Sequence, residues 1–198
     1  MNLLAHAYLS GDHEGLLIGN FIADHIHGNK TARFPNEVQK GIRFHRLIDY
    51  YTDNHEVFIR STKRLHGKYG KYAGVIVDVL YDHFLGVKWH QYSPIPLSEY
   101  TTSVYAVLLK NYNILPSRTK KLLPHIMIYD WLSAYSTFEG LEKAFVGLSR
   151  RVKYNPGIEH VLIDFKLEYK AFDTDFDEFF PKLKKYAEDT RLKILAEK

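Results

Sequence analysis

Side chains able to bind a cation recur inside apolar helical stretches of this chain. From Lys71 to His90 the residues Val75, Ile76, Val77, Val79, Leu80, Phe84 and Leu85 leave no obvious solvent side, yet Asp78, Asp82 and His83 stand among them. A helix so patterned is buried all round. An ionised carboxylate taken out of water is so costly that proteins pair it, neutralise it or give it to a metal. Earlier in the chain, His45 and Asp49 stand four residues apart on one helical segment, with Asp53 continuing the stripe. Side chains at that spacing lie one above the other, as two ligands to one ion do. Arg46 lies about 100° round the helix from His45, close enough to reach a phosphate beside such an ion. A third stretch sets Asp24 at helical spacing from Leu17 and Phe21, so its carboxylate is expected to lean inward or along the core edge.

Carboxylates and imidazoles on three helices suit Mn²⁺, Mg²⁺, Fe²⁺ or Zn²⁺ held between the members of a helical bundle. The chain has no cysteine, which excludes thiolate ligands, thiol nucleophiles and disulfides. Metal sites of this kind hydrolyse substrates by acidifying water and neutralising charge on a phosphoryl oxygen. With no nucleotide-binding glycine loop, nucleophile elbow or HExxH sequence, a metal-dependent phosphoester hydrolase is the economical enzyme reading. The same residues also read as a buried polar network that fixes helix packing. Taken alone, the His45 stripe reads equally as a surface stripe, and His6 as a satisfied core histidine.

The elements that must position these groups are helical throughout. Segments are expected over Asn2–Leu9, Glu14–His27, Asn36–Asn54 with Asn36 as its cap, Val57–Lys71 and Lys71–His90, the last closed by Pro94 and Pro96. Five more follow, about Ser98–Tyr112, Arg118–Tyr135, Thr137–Tyr154, Gly157–Phe172 and Phe176–Ala196, with Ser98, Ser117 and Ser136 as caps. Gly19 and Asn20 interrupt a helical pattern, which signals either close approach of another backbone or a bend. Strand-like alternation is scarce and no repeat or linker stands out, so residues 1–198 are read as one all-α domain, a helical bundle.

The formal charge of +4 weakly favours an acidic partner. Its local concentration is the run Arg60, Lys63, Arg64, Lys68 and Lys71, a basic helix with an apolar edge that suits an acidic protein surface or simply a solvated face. Nucleic acid is disfavoured because no recognised binding motif accompanies the modest charge. The opening residues lack a basic leader and meet Gly11-Asp12-His13-Glu14 too early for a membrane span, so a cytoplasmic protein is expected. Its oligomeric state is left open.

Five ordered motifs carry a resemblance: Asn2-Leu3-Leu4-Ala5-His6; Gly19-Asn20-Phe21-Ile22-Ala23-Asp24; Gly41-Ile42-Arg43-Phe44-His45-Arg46-Leu47-Ile48-Asp49; Thr52-Asp53; and Asp78-Val79-Leu80-Tyr81-Asp82-His83-Phe84-Leu85. In order and spacing the first 90 or so residues resemble the acyl carrier protein phosphodiesterase family. The resemblance implies a divergent relative of the HD-type metal phosphohydrolases, a helical enzyme using a divalent metal, typically Mn²⁺, to cleave 4′-phosphopantetheine from a serine of holo-acyl carrier protein. It further implies Asp24, His45, Asp82 and His83 as metal ligands, Asp49 and Asp78 as groups that orient ligands or water, and His6 and Arg46 as contacts to the phosphodiester. Arg60, Lys63, Arg64, Lys68 and Lys71 would then form a docking face for the acidic carrier protein. The Asp82-His83 pair reverses the His-Asp order that names the broader superfamily, which leaves the ligand set open. A hydrolase of small phosphodiesters and a non-catalytic helical binding protein are the competing readings.

Overall fold

Asn2 opens the first helix by accepting a hydrogen bond from the Leu3 N–H at 2.8 Å, and α1 (Leu3–Leu9) then buries Leu4, Ala5, His6, Ala7 and Leu9. The computed structural model describes residues 2–26 and 28–197, and every regular element among them is helical. Gly11, at φ +59°, makes the left-handed turn into α2 (Glu14–Ile22), which passes into a short 3₁₀ turn, Ala23–His25, that carries Asp24. His27, the expected end of that helix, lies outside the described residues. α3 (Asn36–Asn54) starts from Pro35, whose carbonyl accepts from Val38 and Gln39; Asn36 is therefore the first helical residue rather than the cap. α4 (Glu56–Tyr69) and α5 (Ala73–Val87) follow.

α5 runs through the core as its composition requires, with Ile76, Val77, Leu80, Tyr81, Phe84 and Leu85 all fully buried. A narrow solvent edge does exist, at Val75 and Val87. The second half of the chain forms α6 (Leu97–Lys110), α7 (Ser117–Ile128), α8 (Trp131–Ala134), α9 (Phe138–Ser149), α10 (Val161–Leu167) and α11 (Tyr169–Ala196). Pro96 and Pro116 precede α6 and α7, so Ser98 and Ser117 lie inside those helices, and Thr137 rather than Ser136 caps α9 by accepting from the Gly140 N–H at 3.0 Å. The expected Arg118–Tyr135 helix is broken at Asp130, whose φ of +39° is left-handed and cannot continue a right-handed helix. The last helix begins seven residues earlier than expected, and Phe172 and Phe176 both belong to its buried face.

One crossing governs the site. An ideal Cβ on Gly19 would lie 2.2 Å from the Val38 carbonyl oxygen and 2.6 Å from Gly41 Cα, and one on Gly41 would lie 2.6 Å from the Leu16 oxygen. α2 and α3 thus meet backbone to backbone, which decides between the two readings of Gly19 in favour of close approach. Gly19→Ala must push the helices apart, because the obstructing atoms are backbone. Overpacking of this kind costs about 1–3 kcal/mol, and for a chain of this size each kcal/mol lowers Tm by roughly 2–4 °C. Thermal unfolding of Gly19→Ala is expected to show a drop of that order.

Candidate metal centre

His6 from α1 and His45 and Asp49 from α3 bring one ligand atom each to within 4.8 Å of one another, with His6 and His45 buried. The rings of His6 and His45 stack, with centroids 4.0 Å apart and planes at 21°. Asp49 spans them, one oxygen 3.1 Å from His6 Nε2 and the other 3.0 Å from His45 Nε2. Asp24 reaches the same His45 nitrogen from α2's terminal turn at 3.2 Å, and its side chain is 76% exposed, so the group opens to solvent beside it.

The protonation of His45 follows from its neighbours. Asn20 Nδ2 donates to the His6 carbonyl at 2.7 Å and to Ser10 Oγ at 3.0 Å, which turns its oxygen toward His45 Nδ1 at 3.0 Å. Nδ1 therefore carries a proton, and Nε2 faces two carboxylate oxygens. Two anionic acceptors around one nitrogen require positive charge there, either a second ring proton or a metal ion. Burial disfavours the charged ring, but Asp24 and Asp49 outweigh it and push His45 up to about 9. Burial and the nearby His45 push His6 down to about 4, so His6 is a neutral ring. Burial also opposes ionisation of Asp49, yet hydrogen bonds from His45 and His6 hold its carboxyl below the usual carboxylate range. Asp24 is likewise lowered by its bond from His45.

These donors fit a divalent cation. Two imidazoles and a carboxylate suit Mn²⁺, Fe²⁺ or Zn²⁺, and His45 has the outer partner on its far nitrogen that a ligating histidine needs.

The residues expected around this group divide. Asp24 and His45 meet, and His6 and Asp49 join them in a group that could hold a metal ion. Asp82 and His83 are not brought to the cluster. Neighbours on a helix point about 100° apart, and here Asp82 turns to α1 while His83 turns toward α8 and α11. Fully buried Asp82 accepts from the backbone N–H groups of Leu4 at 2.8 Å and Ala5 at 3.2 Å, satisfying donors that the start of α1 cannot pair within the helix. It is a positioning residue for the helix that carries His6. The His83 Nδ1–H donates to the Tyr135 carbonyl at 2.8 Å, and the ring sits among Phe84, Phe138, Phe165 and Tyr169. Asp78, one turn before Asp82, is raised by burial, with Asp49 and Asp53 pushing the same way, so it lies within the field of the cluster. Arg46 is exposed on α3 and makes no ion pair among the described residues.

Asp82 also predicts a pH dependence. Burial outweighs its two backbone bonds and pushes the carboxyl up to about 7, whereas an unfolded aspartate titrates near ~3.9. The folded state therefore binds this proton more tightly. Its contribution to stability is complete below the unfolded pKa and is lost as pH rises through about 7. Denaturant unfolding with chelator present should show the stability of wild type relative to Asp82→Asn falling across that window. A difference independent of pH would contradict the assignment.

Three cations of the basic run pair with carboxylates of the same chain. Arg60 pairs with Asp175 at 2.6 Å and Glu178 at 2.7 Å, Arg64 with Asp175 at 3.2 Å and Glu168 at 3.6 Å, and Lys68 with Asp164 at 2.8 Å. These cations clasp α4 to α10 and α11, while Lys63 and Lys71 make no ion pair among the described residues; all five residues of the run are exposed. Asn20 and Ser10 were not among the expected site residues. An asparagine inside the apolar run Leu16–Ile22 was the available signal, since a buried amide needs partners.

Fold and cluster together define an all-helical protein with a buried His/His/Asp group that could hold a divalent metal ion. A family model described as acyl carrier protein phosphodiesterase matches residues 1–183, and the chain belongs to that family. Among its relatives, the acyl carrier protein phosphodiesterase of Escherichia coli O6:H1 (strain CFT073) is 30% identical over 188 residues, covering 94% of this chain and 97% of that protein. The protein of the same name from Serratia proteamaculans is 28% identical over 193 residues, 97% of this chain and all of its own, and that from Shigella boydii is 31% identical over 191 residues. No solved structure matches. Among the described residues no helix is long and apolar enough to cross a membrane.

Proposed function

We propose that the protein is a metal-dependent phosphodiesterase that hydrolyses the 4′-phosphopantetheine–serine phosphodiester of holo-acyl carrier protein, with Mn²⁺ as the preferred metal. The observation that carries the chemistry is His45 Nε2, held between Asp24 and Asp49 while Nδ1 is committed to Asn20. The carrier-protein substrate is supported by family membership and by the names of relatives about 30% identical over nearly the full chain. His6, His45 and Asp49 would hold the cation with Asp24 at the open side, and the bound cation supplies neutralising charge for phosphoryl oxygens and acidifies the attacking water. Stacking and the shared Asp49 keep the two rings oriented, so little rearrangement is needed on binding. Arg46, exposed one position along α3 from His45, offers a guanidinium whose fork matches phosphate oxygens. Asp78, in the field of Asp49, supports the group from α5. One water is consumed: its oxygen joins phosphorus, the serine oxygen departs with a proton, and the products are apo-carrier protein and 4′-phosphopantetheine.

Incubation with holo-carrier protein and Mn²⁺, followed by intact mass measurement, tests this directly. The expected result is loss of the phosphopantetheine arm, stopped by chelator and restored by added Mn²⁺. An unchanged mass with Mn²⁺, Mg²⁺, Fe²⁺ and Zn²⁺ in turn would sink the reading, and cleavage of small phosphodiesters alone would move it to the small-substrate alternative.

A further inference from the structure

The excess positive charge of the chain is concentrated in one segment. Residues 110–153 contain eight lysines and arginines against three acidic residues, whereas the remainder has 19 basic and 20 acidic residues. Two of those three acids are partly spent: Asp130 accepts from Tyr105 OH at 2.7 Å and from Ser133, and Glu139 pairs with Lys143. Arg118, Lys121, Arg150 and Arg151 are exposed and make no ion pair among the described residues. The clasped arginines of α4 are the opposite case.

Between α7, α8 and α9 runs a mostly apolar groove of about 760 Å³, lined by Leu122, Trp131 and Val146, with Arg150 and Arg151 at its wall together with Glu142 and the Glu139–Lys143 pair. Arg118 stands one helical turn before Leu122 and so shares its face of α7. Ile128 and Tyr129, beside the groove, are 74% and 65% exposed. The left-handed Asp130 separates α7 from α8 and is held by side chains of α6 and α8. Non-glycine residues so strained persist where the surroundings over-determine them, and they concentrate at functional surfaces. Arg151 Nε donates to the Gly147 carbonyl at 3.0 Å, but an apolar centre with arginines at its edge that make no ion pair among the described residues is the anatomy of an interface for an acidic protein. α8, which lines the groove, also packs against α1, the helix that bears His6.

We propose that this groove and its rim of Arg118, Arg150 and Arg151 are the docking surface for an acidic protein partner, whose apolar side chains enter the groove while its carboxylates meet the arginines. Taking that partner to be the carrier protein rests on the function proposed above. It moves the docking face from α4 to α7–α9.

The test is the triple variant Arg118→Glu/Arg150→Glu/Arg151→Glu, checked for unchanged circular dichroism and Tm. KM for holo-carrier protein should rise by roughly tenfold or more with kcat retained, and the dependence of KM on NaCl should flatten. A control reversal on α11, at Lys182, Lys185 and Lys193, should leave KM unchanged. In parallel, fluorescence anisotropy with labelled holo-carrier protein and chelator reads binding without turnover. Unaltered KM and unaltered binding in the triple variant overturn the docking surface while leaving the proposed function standing, as does an equal effect of the control. A wild type that binds carrier protein without cleaving it, with binding lost in the triple variant, supports the surface and sinks the function. A wild type that neither binds nor cleaves it overturns both.

Discussion

His45→Ala is expected to remove the bound divalent cation and with it turnover of holo-carrier protein. His45 is the hinge of the cluster: Asp24 and Asp49 both converge on its Nε2, and His6 stacks on its ring. Alanine leaves two carboxylates facing each other across an empty volume, with neither the nitrogen that gathers a cation nor the charge that balances them. Asn20→Ala, which removes only the outer partner of His45, should cost about 10–100-fold in metal affinity or activity, the usual price of losing such a group; loss of the ligand itself must exceed that. Metal content of protein purified without chelator, together with turnover of holo-carrier protein, measures both effects. His83→Ala supplies the contrast. Its ring donates to the Tyr135 carbonyl and packs in an aromatic cage, so that variant should lose stability while keeping its cation. A cation retained by His45→Ala would overturn this cluster, and one lost by both His45→Ala and His83→Ala would favour the set implied by family resemblance, which also contains His45.

Asp175→Ala should produce the largest loss of stability. Only 2% exposed, Asp175 receives Arg60 on one oxygen and Arg64 and Ser61 on the other. With the Ser61 proton so committed, the Tyr81 hydroxyl donates to Ser61 Oγ at 2.9 Å, and the chain of bonds joins α5, α4 and α11. Breaking a buried pair by removing one partner costs 3–5 kcal/mol, and because both arginine side chains are partly exposed and can turn to solvent, the lower end, about 3 kcal/mol, is expected. That corresponds to a fall in Tm of about 10 °C. Asp175→Asn keeps an acceptor for Ser61 and should lose less. If thermal unfolding shows Asp175→Ala within a degree or two of wild type, the clasp is not a stabilising element, and the arginines of α4 become available again for a partner.

Much of the site's scaffold was legible before any coordinates. Period alone identified the helices, the buried α5, and the His45–Asp49 stripe, while Gly19 left a close approach and a bend equally open until the crossing with α3 decided it. Element ends were read less well. Proline carbonyls rather than serine or asparagine side chains start α3, α6 and α7, and the left-handed Asp130 divides what reads as one helix, because Tyr105, Thr101 and Ser133 from separate turns hold it there. Charge was legible as composition, whereas its pairing was not. Arg60, Arg64 and Lys68 look free when α4 is read by itself, and their carboxylates lie about a hundred residues further on in α10 and α11.

By itself, then, the sequence determined that the chain is all-helical, that ionisable groups stand inside its apolar faces, and that a metal would find only oxygen and imidazole ligands. Which of those groups meet was decided by tertiary structure alone. Asp82 and His6 each sit on a buried face with ligand chemistry to offer, and nothing local distinguishes them. The placement of α5 against the start of α1 gives Asp82 two backbone N–H groups to satisfy, while the glycine crossing of α2 and α3 carries His45 and Asp49 to His6. Helical period is a property of near neighbours, whereas a ligand set depends on how elements tens of residues apart cross.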